Sequence, residues 1–442
     1  MSDTLIIIGV VVVVYAVAAE RVSRSMITGP MIFTAIGLLI GPEVLDLVDV
    51  PLASSSLDTL LNATLAVVLF VDATHINVRA LRRSASTPAR LLMIGFPAML
   101  VVGTLTGLLI FPAIGFVAIL AIATILAPTD AALGQAVITN PKVPIGIRQS
   151  LSVESGLNDG LALPVLFTVL AVGKAEESDD TWQVLVEHIV EEVGWGLVAG
   201  VGVGVFALIA IRFADRIGLA PSATAVGLAT MGALAATVGV AEALGGSALI
   251  AAFVAGIVIG PTIRPLGEDA YSFGENASEV LTLLAFIVFG AVIVSDQLDT
   301  LDWQIALYAV LSLAVLRPVT VWLATLGSGL NLMSVAFLGW FGPRGLASIL
   351  FVTTIIADSP EFQDLETVSA VMTWTVLLSI VAHGLSAWPA SNRYSAFCEA
   401  HPDKMAESPA MQPLPDEILA GRSGSVMGRH SPAHHENRGP DS

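Results

Sequence analysis

Apolar residues in this chain come in runs of about 20, the length an α-helix needs to cross a hydrocarbon layer. Short polar or glycine-rich stretches divide the runs. Membrane barrel strands would be about half as long and would alternate strictly, and no such alternation occurs. In chain order the runs predict helices at roughly 4–19, 28–47, 57–75, 90–111, 112–133, 147–172, 190–212, 221–243, 245–262, 276–295, 303–325, 331–356 and 366–388. The eighth and ninth are separated only by a glycine turn. The expected fold class is therefore an all-α membrane protein of about 13 transmembrane helices. Asp3, rather than a basic leader, precedes the first run, so that run is expected to stay as a helix and not be cleaved as a signal.

Composition sharpens this picture. The chain is 55% hydrophobic and 13% charged, with a mean hydropathy of +0.83, whereas a soluble domain is about one quarter charged. The net charge of -18 comes from loops and tail and offers nothing to a nucleic acid. A single cysteine, Cys398, placed beyond the last predicted helix, gives no disulfide or thiolate framework.

Loop charge sets an orientation. Arg21, Arg24, Arg79, Arg82, Arg83, Arg90, Lys142, Arg148, Arg212, Arg216, Arg264 and Arg393 fall on one side, which the positive-inside rule makes cytoplasmic. Glu176, Glu177, Asp179, Asp180, Asp296, Asp299, Asp302, Asp358, Glu361, Asp364 and Glu366 fall on the other. The N-terminus is thus expected outside and the C-terminus inside a cell membrane. Two regions follow: a transmembrane domain over 1–390 and a disordered cytoplasmic tail over 391–442 that is polar and rich in Pro, Ser, Gly and His. His430, His434 and His435 are read as solvated, with metal binding the alternative.

Ionisable residues inside membrane helices are costly, so each is a functional candidate. The sixth run holds Glu154, Ser155, Asn158 and Asp159. Glu154 shares a face with Asn158, and Ser155 shares one with Asp159. Glu154 and Asp159 point about 140° apart at 100° per residue, so the two acids are expected to serve different partners. The fifth run contains Pro128, Thr129 and Asp130, and the twelfth contains Gly342, Pro343, Arg344 and Gly345. Proline removes a backbone donor, and loosened backbone in lipid is tolerated only inside protein or along a cavity. Matching interruptions in two halves point to an inverted-repeat transporter, with helices two to six set against nine to thirteen. Arg317 and Arg344 need carboxylates or carbonyls, since arginine does not lose its proton. Glu154 is expected to pair with Arg344 in a structural role. Arg317 is either a site-support residue or a snorkelling end-of-helix cation. Asp72 is either a further site acid or an interfacial residue beside His75, and His383 is read as a packing or interface residue.

The motifs Leu126-Ala127-Pro128-Thr129-Asp130-Ala131-Ala132 and Val153-Glu154-Ser155-Gly156-Leu157-Asn158-Asp159-Gly160 resemble the monovalent cation/proton antiporter superfamily, within it the sodium/proton exchanger branch of the NhaP type. The resemblance covers about residues 1 to 390. It implies a homodimer, broken crossing helices and alternating access between an interface domain and a moving core. It also implies an ion site of Asp130, Asp159, Ser155 and Thr129, with Asp72 where relatives often carry a glutamate. Asn158 would hold the broken helix, and Glu154 and Arg344 would form a structural ion pair. Asn158 in place of a second aspartate implies electroneutral, one-for-one exchange of sodium or lithium for protons. No cofactor is expected beyond the transported sodium ion and protons. The expected partners are monovalent cations, protons and the lipid bilayer. A potassium/proton antiporter with the same site is the nearest alternative. An intramembrane aspartyl protease and a passive channel are the others; Leu157-Asn158-Asp159-Gly160 lacks the Gly-x-Gly-Asp pattern of the former.

Overall fold

The computed structural model describes residues 2–23, 26–47, 55–76, 86–138, 140–177, 182–219, 222–263 and 269–401. Among these residues the chain is helical and carries no β-strand. Arg24, Arg79, Arg82, Arg83, Arg264, Asp179 and Asp180, and tail residues His430, His434 and His435, lie outside the described residues.

Three helices open the chain: α1 Ser2–Ser23, α2 Gly29–Ile40 and α3 Ser55–Thr74. The fourth, α4, joins Ser86–Arg90, a π-helical turn at Leu91–Gly95, and Phe96–Ile110. The fifth is in two pieces, α5a Phe116–Ile125 and α5b Ala131–Ile138. Then come α6 Ile145–Glu177, α7 Trp182–Arg216, α8 Ala223–Ala243 and α9 Ala248–Ile263. In α10, Asp269–Val288 continues into a π-helical turn at Phe289–Val294. In α11, Trp303–Leu311 is followed by a π-helical turn at Ser312–Leu316 and by Arg317–Thr325. The twelfth is again broken, α12a Leu332–Trp340 and α12b Leu346–Asp358, and α13 runs from Leu365 to Ala400.

Local chemistry explains many of these limits. Pro30, Pro97 and Pro318 sit at the starts of their helical segments, where proline's missing N–H is no loss. Asp302 accepts from Ile305 N at 2.7 Å and Asn331 from Ser334 N at 2.9 Å, each satisfying a first-turn donor. Gly115, which leads into α5a, donates its N–H to Asp364 Oδ2 at 3.0 Å, so the start of α5a is tied to the start of α13.

Seven of the described helices are long and apolar enough to cross a membrane, and six shorter apolar helices accompany them. Their placement is uneven. In the apolar window of α7 only 22% of residues are buried, against 67% in α13. Helix α7 therefore turns Phe206, Ile209 and Phe213 outward, as a lipid-facing helix does, and α13 is central. Pro389 is accommodated inside α13, which continues through Cys398 to Ala400. The helix thus runs past the predicted limit near 388, and residues 391–400 belong to it. Tyr394 there is buried, bonded to Ser334 at 2.7 Å and stacked on Phe337 with centroids 4.2 Å apart. Residues 402–442 lie outside the described residues.

Two kinds of interruption recur seven helices apart. Helices α5 and α12 are broken, and α4 and α11 each carry a π-helical turn just before Phe96-Pro97 and Arg317-Pro318. This is the signature of repeated halves. Helix α2 packs backbone to backbone on α10: a Cβ at Gly290 would strike the carbonyl of Thr34, and one at Gly37 the carbonyl of Ile287. Gly232 on α8, by contrast, has open space where its Cβ would lie. Gly290→Val should cost about 1–3 kcal/mol through overpacking, seen as a lower melting temperature in detergent, while Gly232→Ala should leave the melting curve unmoved.

Candidate ion-binding site at the helix crossing

Both broken helices stop because local sequence cannot continue the ladder. Pro128 supplies no N–H in the gap between α5a and α5b, and Pro343 supplies none between α12a and α12b. The breaks meet face to face. Asp130 N donates to Pro343 O at 2.8 Å. The Asp130 carboxylate then accepts from two helix starts at once, Leu133 N on Oδ1 at 3.1 Å and Leu346 N on Oδ2 at 2.5 Å. The positive ends of α5b and α12b are thereby both faced by one anion. Gly345 must be glycine for this: a Cβ there would run into Asp130 Oδ2.

Arg344 does the reverse. Its Nη1 donates to Ala127 O and Pro128 O, both at 2.9 Å, closing the carbonyl end of α5a. Ser348 Oγ adds a bond to Ile125 O at 2.7 Å. So each broken helix is held by a charged residue of the other.

This geometry corrects the expected ion pair. Glu154 is paired with Arg317, not Arg344: Arg317 Nη1 and Nη2 reach Oε1 and Oε2 at 2.5 and 2.7 Å. The cause lies in two neighbouring features. The π-helical turn at Ser312–Leu316 rotates Arg317 inward toward α6. Gly342 then leaves room for the guanidinium, since a Cβ at that position would collide with Arg317 Nε. Arg317 is accordingly buried within the protein and does not snorkel to an interface.

Next to Glu154 on α6, Ser155 Oγ lies 3.0 Å from Thr129 Oγ1, and Asn158 Nδ2, one turn on from Glu154, donates to the same Thr129 oxygen at 2.8 Å. Asn158 thereby ties α6 to the break in α5, while its Oδ1 has no hydrogen-bond partner. Asp159 is one turn beyond Ser155, and both are buried, as are Thr129 and Asp130. Asp72 on α3 is half-buried, with its Cβ 4.0 Å from where a Cβ of Gly156 would stand. It therefore abuts α6 beside Ser155. His75, one turn on, pairs with Glu275 of α10 at 3.0 Å.

The arrangement brings the Thr129 and Ser155 hydroxyls and the Asn158 amide together, with the buried acids Asp130 and Asp159 next to them in sequence and half-buried Asp72 against the same stretch of α6. Oxygen donors of this kind suit a small hard cation. Sequence reasoning missed Ser348, and it placed no role on Ser379. The latter accepts Arg344 N on its Oγ at 2.7 Å; its signal was a polar residue inside an apolar helix, four residues before His383. For the corrected pair, Glu154→Gln should leave Arg317 buried and unmatched at a cost of about 3–5 kcal/mol, read as lost thermal stability or yield. A double-mutant cycle should then show strong coupling of Glu154 to Arg317 and weak coupling to Arg344.

Comparison with known proteins agrees with this geometry. The family model for the transmembrane region of sodium/hydrogen exchangers matches residues 8–392. The chain is 26% identical over 392 residues to a protein of Schizosaccharomyces pombe named a "probable Na(+)/H(+) antiporter", spanning 80% of this chain and 51% of that one. It is 27% identical over 367 residues to a Na(+)/H(+) antiporter of Saccharomyces cerevisiae, spanning 77% of this chain and 36% of the relative. The chain thus spans about half or less of these relatives' length. In three dimensions it is similar to the sodium proton antiporter MjNhaP1 of Methanocaldococcus jannaschii, with a TM-score of 0.67 and 20% identity over 86% of this chain and 98% of that one. At that identity the likeness speaks for the fold.

Proposed function

The chain belongs to the sodium/hydrogen exchanger family, and from that premise we propose that it exchanges sodium, or lithium, for protons across a cell membrane. Exchange is one for one and proceeds by alternating access. The carrying observation is the cluster of the Thr129 and Ser155 hydroxyls and the Asn158 amide at the crossing of two broken helices, with Asp130 and Asp159 buried in the same two segments. A site of this kind holds a cation or a proton in turn. Burial favours a neutral carboxyl and a bound cation favours a charged one, so the two ligands compete.

Within that reading the residues divide by role. Asp159, Ser155 and Thr129 ligate the cation, and Asp72 contributes from α3. Asp130 already accepts from two helix starts, so it acts chiefly as the fixed negative charge that holds the crossing together. The unpartnered Oδ1 of Asn158 supports a ligating role for that amide as well. Glu154, Arg317 and Arg344 support the site. The protomer has thirteen crossings, the N-terminus outside and the C-terminus inside, works as a homodimer and serves pH homeostasis.

Asp159→Asn removes the titrating ligand and should abolish sodium/proton exchange in proteoliposomes while leaving the melting curve intact. Asp130→Asn should also abolish exchange, with some loss of stability from the weakened caps. Wild-type rates in either variant would take that residue out of the mechanism. Offering sodium, lithium and potassium in turn tests the ion. Potassium/proton exchange without a sodium response would replace the assignment.

One-for-one exchange has its own test. A full elementary charge crossing the membrane feels about 2.3 kcal/mol per 100 mV, close to fiftyfold in equilibrium. The steady-state sodium gradient at a clamped potential should therefore follow only the pH difference. A gradient that moves with the potential would mean that Asp130 and Asp159 both release protons for each sodium bound.

A further inference from the structure

The break in α12 is spanned from a helix outside the ion cluster. On α13, Ser379, His383 and Ser386 follow one another at helical spacing and share one face. Ser379 Oγ accepts Arg344 N at 2.7 Å, on the far side of the break. His383 Nε2 lies 2.8 Å from Trp340 O, the last carbonyl of α12a. Ser386 Oγ accepts from the Trp340 indole at 2.8 Å. His383 Nδ1 closes the chain at 3.1 Å from Ser379 Oγ, with the Ser379 carbonyl 2.9 Å away. His383 is buried, with its ring against Trp340 at a centroid distance of 5.2 Å.

The tautomer with its proton on Nε2 is the one that bonds Trp340 O, and its Nδ1, with the Ser379 hydroxyl and carbonyl both in reach, then accepts from the hydroxyl. Arg344 N–H donates to Ser379 Oγ. The Ser379 hydroxyl is then free to donate to Nδ1, and Nε2–H donates to Trp340 O. The end of α12a at Trp340 and the gap residue Arg344 are thus joined through a continuous helix where the intrahelical ladder is missing. What the ladder leaves unsatisfied at membrane depth must be satisfied by neighbouring side chains.

We propose that Ser379 and His383 are positioning residues for the cation site, acting through Arg344. The inference rests on the exchange reading above and extends it to a helix that supplies no ligand. The route is short. Ser379 and His383 fix the backbone of α12 at Arg344. The Arg344 guanidinium fixes Ala127 O and Pro128 O. Those carbonyls lie immediately before Thr129, whose hydroxyl faces Ser155 and Asn158. Loosening the α12 gap therefore displaces a ligand on α5. Outer-shell partners of this kind hold ligands in place, and their loss weakens metal affinity.

The test uses the full chain in proteoliposomes, with the half-saturating sodium concentration and the maximal rate measured across a range of pH. His383→Leu and Ser379→Ala should each raise half-saturating sodium about tenfold, with a smaller change in maximal rate. His383→Gln keeps a donor for Trp340 O and should restore wild-type affinity with an unmoved pH profile. Sodium-dependent thermal stabilisation of the purified protein should report the same affinities without turnover. If His383→Leu does not fold, Ser379→Ala decides the matter.

Wild-type half-saturation in the Leu and Ala variants overturns the proposal. So does a shifted pH profile in His383→Gln, which would make His383 a group that takes up and releases protons. A wild-type protein that binds and exchanges no sodium would instead overturn the exchange reading itself.

Discussion

A helix interrupted at membrane depth exposes N–H and C=O groups where no water is at hand to satisfy them. Two such interruptions meet in this protein, and each is completed by the other. Asp130 from α5 faces the N–H ends of α5b and α12b, and Arg344 from α12 closes the carbonyl end of α5a. Had the breaks been far apart, each would have needed its own set of polar partners and its own buried charge. Brought together, one acid and one base serve three helix ends. The same step leaves the Thr129 hydroxyl and its neighbours on α6 at a place where backbone is not wrapped in its own helix.

The second buried pair obeys the same logic at one remove. Glu154 and Arg317 meet in a two-pronged contact on α6, at the residue next to Ser155. Their charges cancel locally, so no unmatched arginine carries its field into the neighbouring cluster of Thr129, Ser155 and Asn158. A buried ion pair is weak evidence of added stability. Its value in this fold is placement, because it locks the rotation of α6 about its own axis and thereby sets which residues face α5.

Much of this was legible in the sequence, for identifiable reasons. Pro128 and Pro343, the latter between Gly342 and Gly345, are strong local signals, so both breaks could be placed from residues alone. The α6 motif was legible because polar residues inside an apolar run have few explanations. The partner of Glu154 was not legible. Helical periodicity presumes 3.6 residues per turn, and the π-helical turn at Ser312–Leu316 shifts that phase; Pro318, which lacks the N–H that would bond the Ala314 carbonyl, signals a disturbed ladder but not the extra rotation. The far end of α13 was not legible either, because the chain from 391 onward reads as polar and rich in Pro, Ser, Gly and His. Pro389 is a conspicuous stop signal, yet the helix carries it, since Tyr394 and Ser334 hold the following turns against α12a. The likeness of α4 to α11 was likewise hidden, because it lies in backbone geometry and in Pro97 and Pro318 rather than in shared side chains.

The π-helical turn in α11 also bears on how such a chain tolerates change in length. One residue in a helix corresponds to about 100° of rotation, and the wide turn at Ser312–Leu316 accommodates an additional residue without altering the ends of α11. Removing a single residue from that stretch would tighten the turn to ordinary helix and swing Arg317 away from Glu154 toward the lipid. The segment is therefore strict in count, so that a deletion there amounts to exchanging the lining of the protein's interior for its exterior.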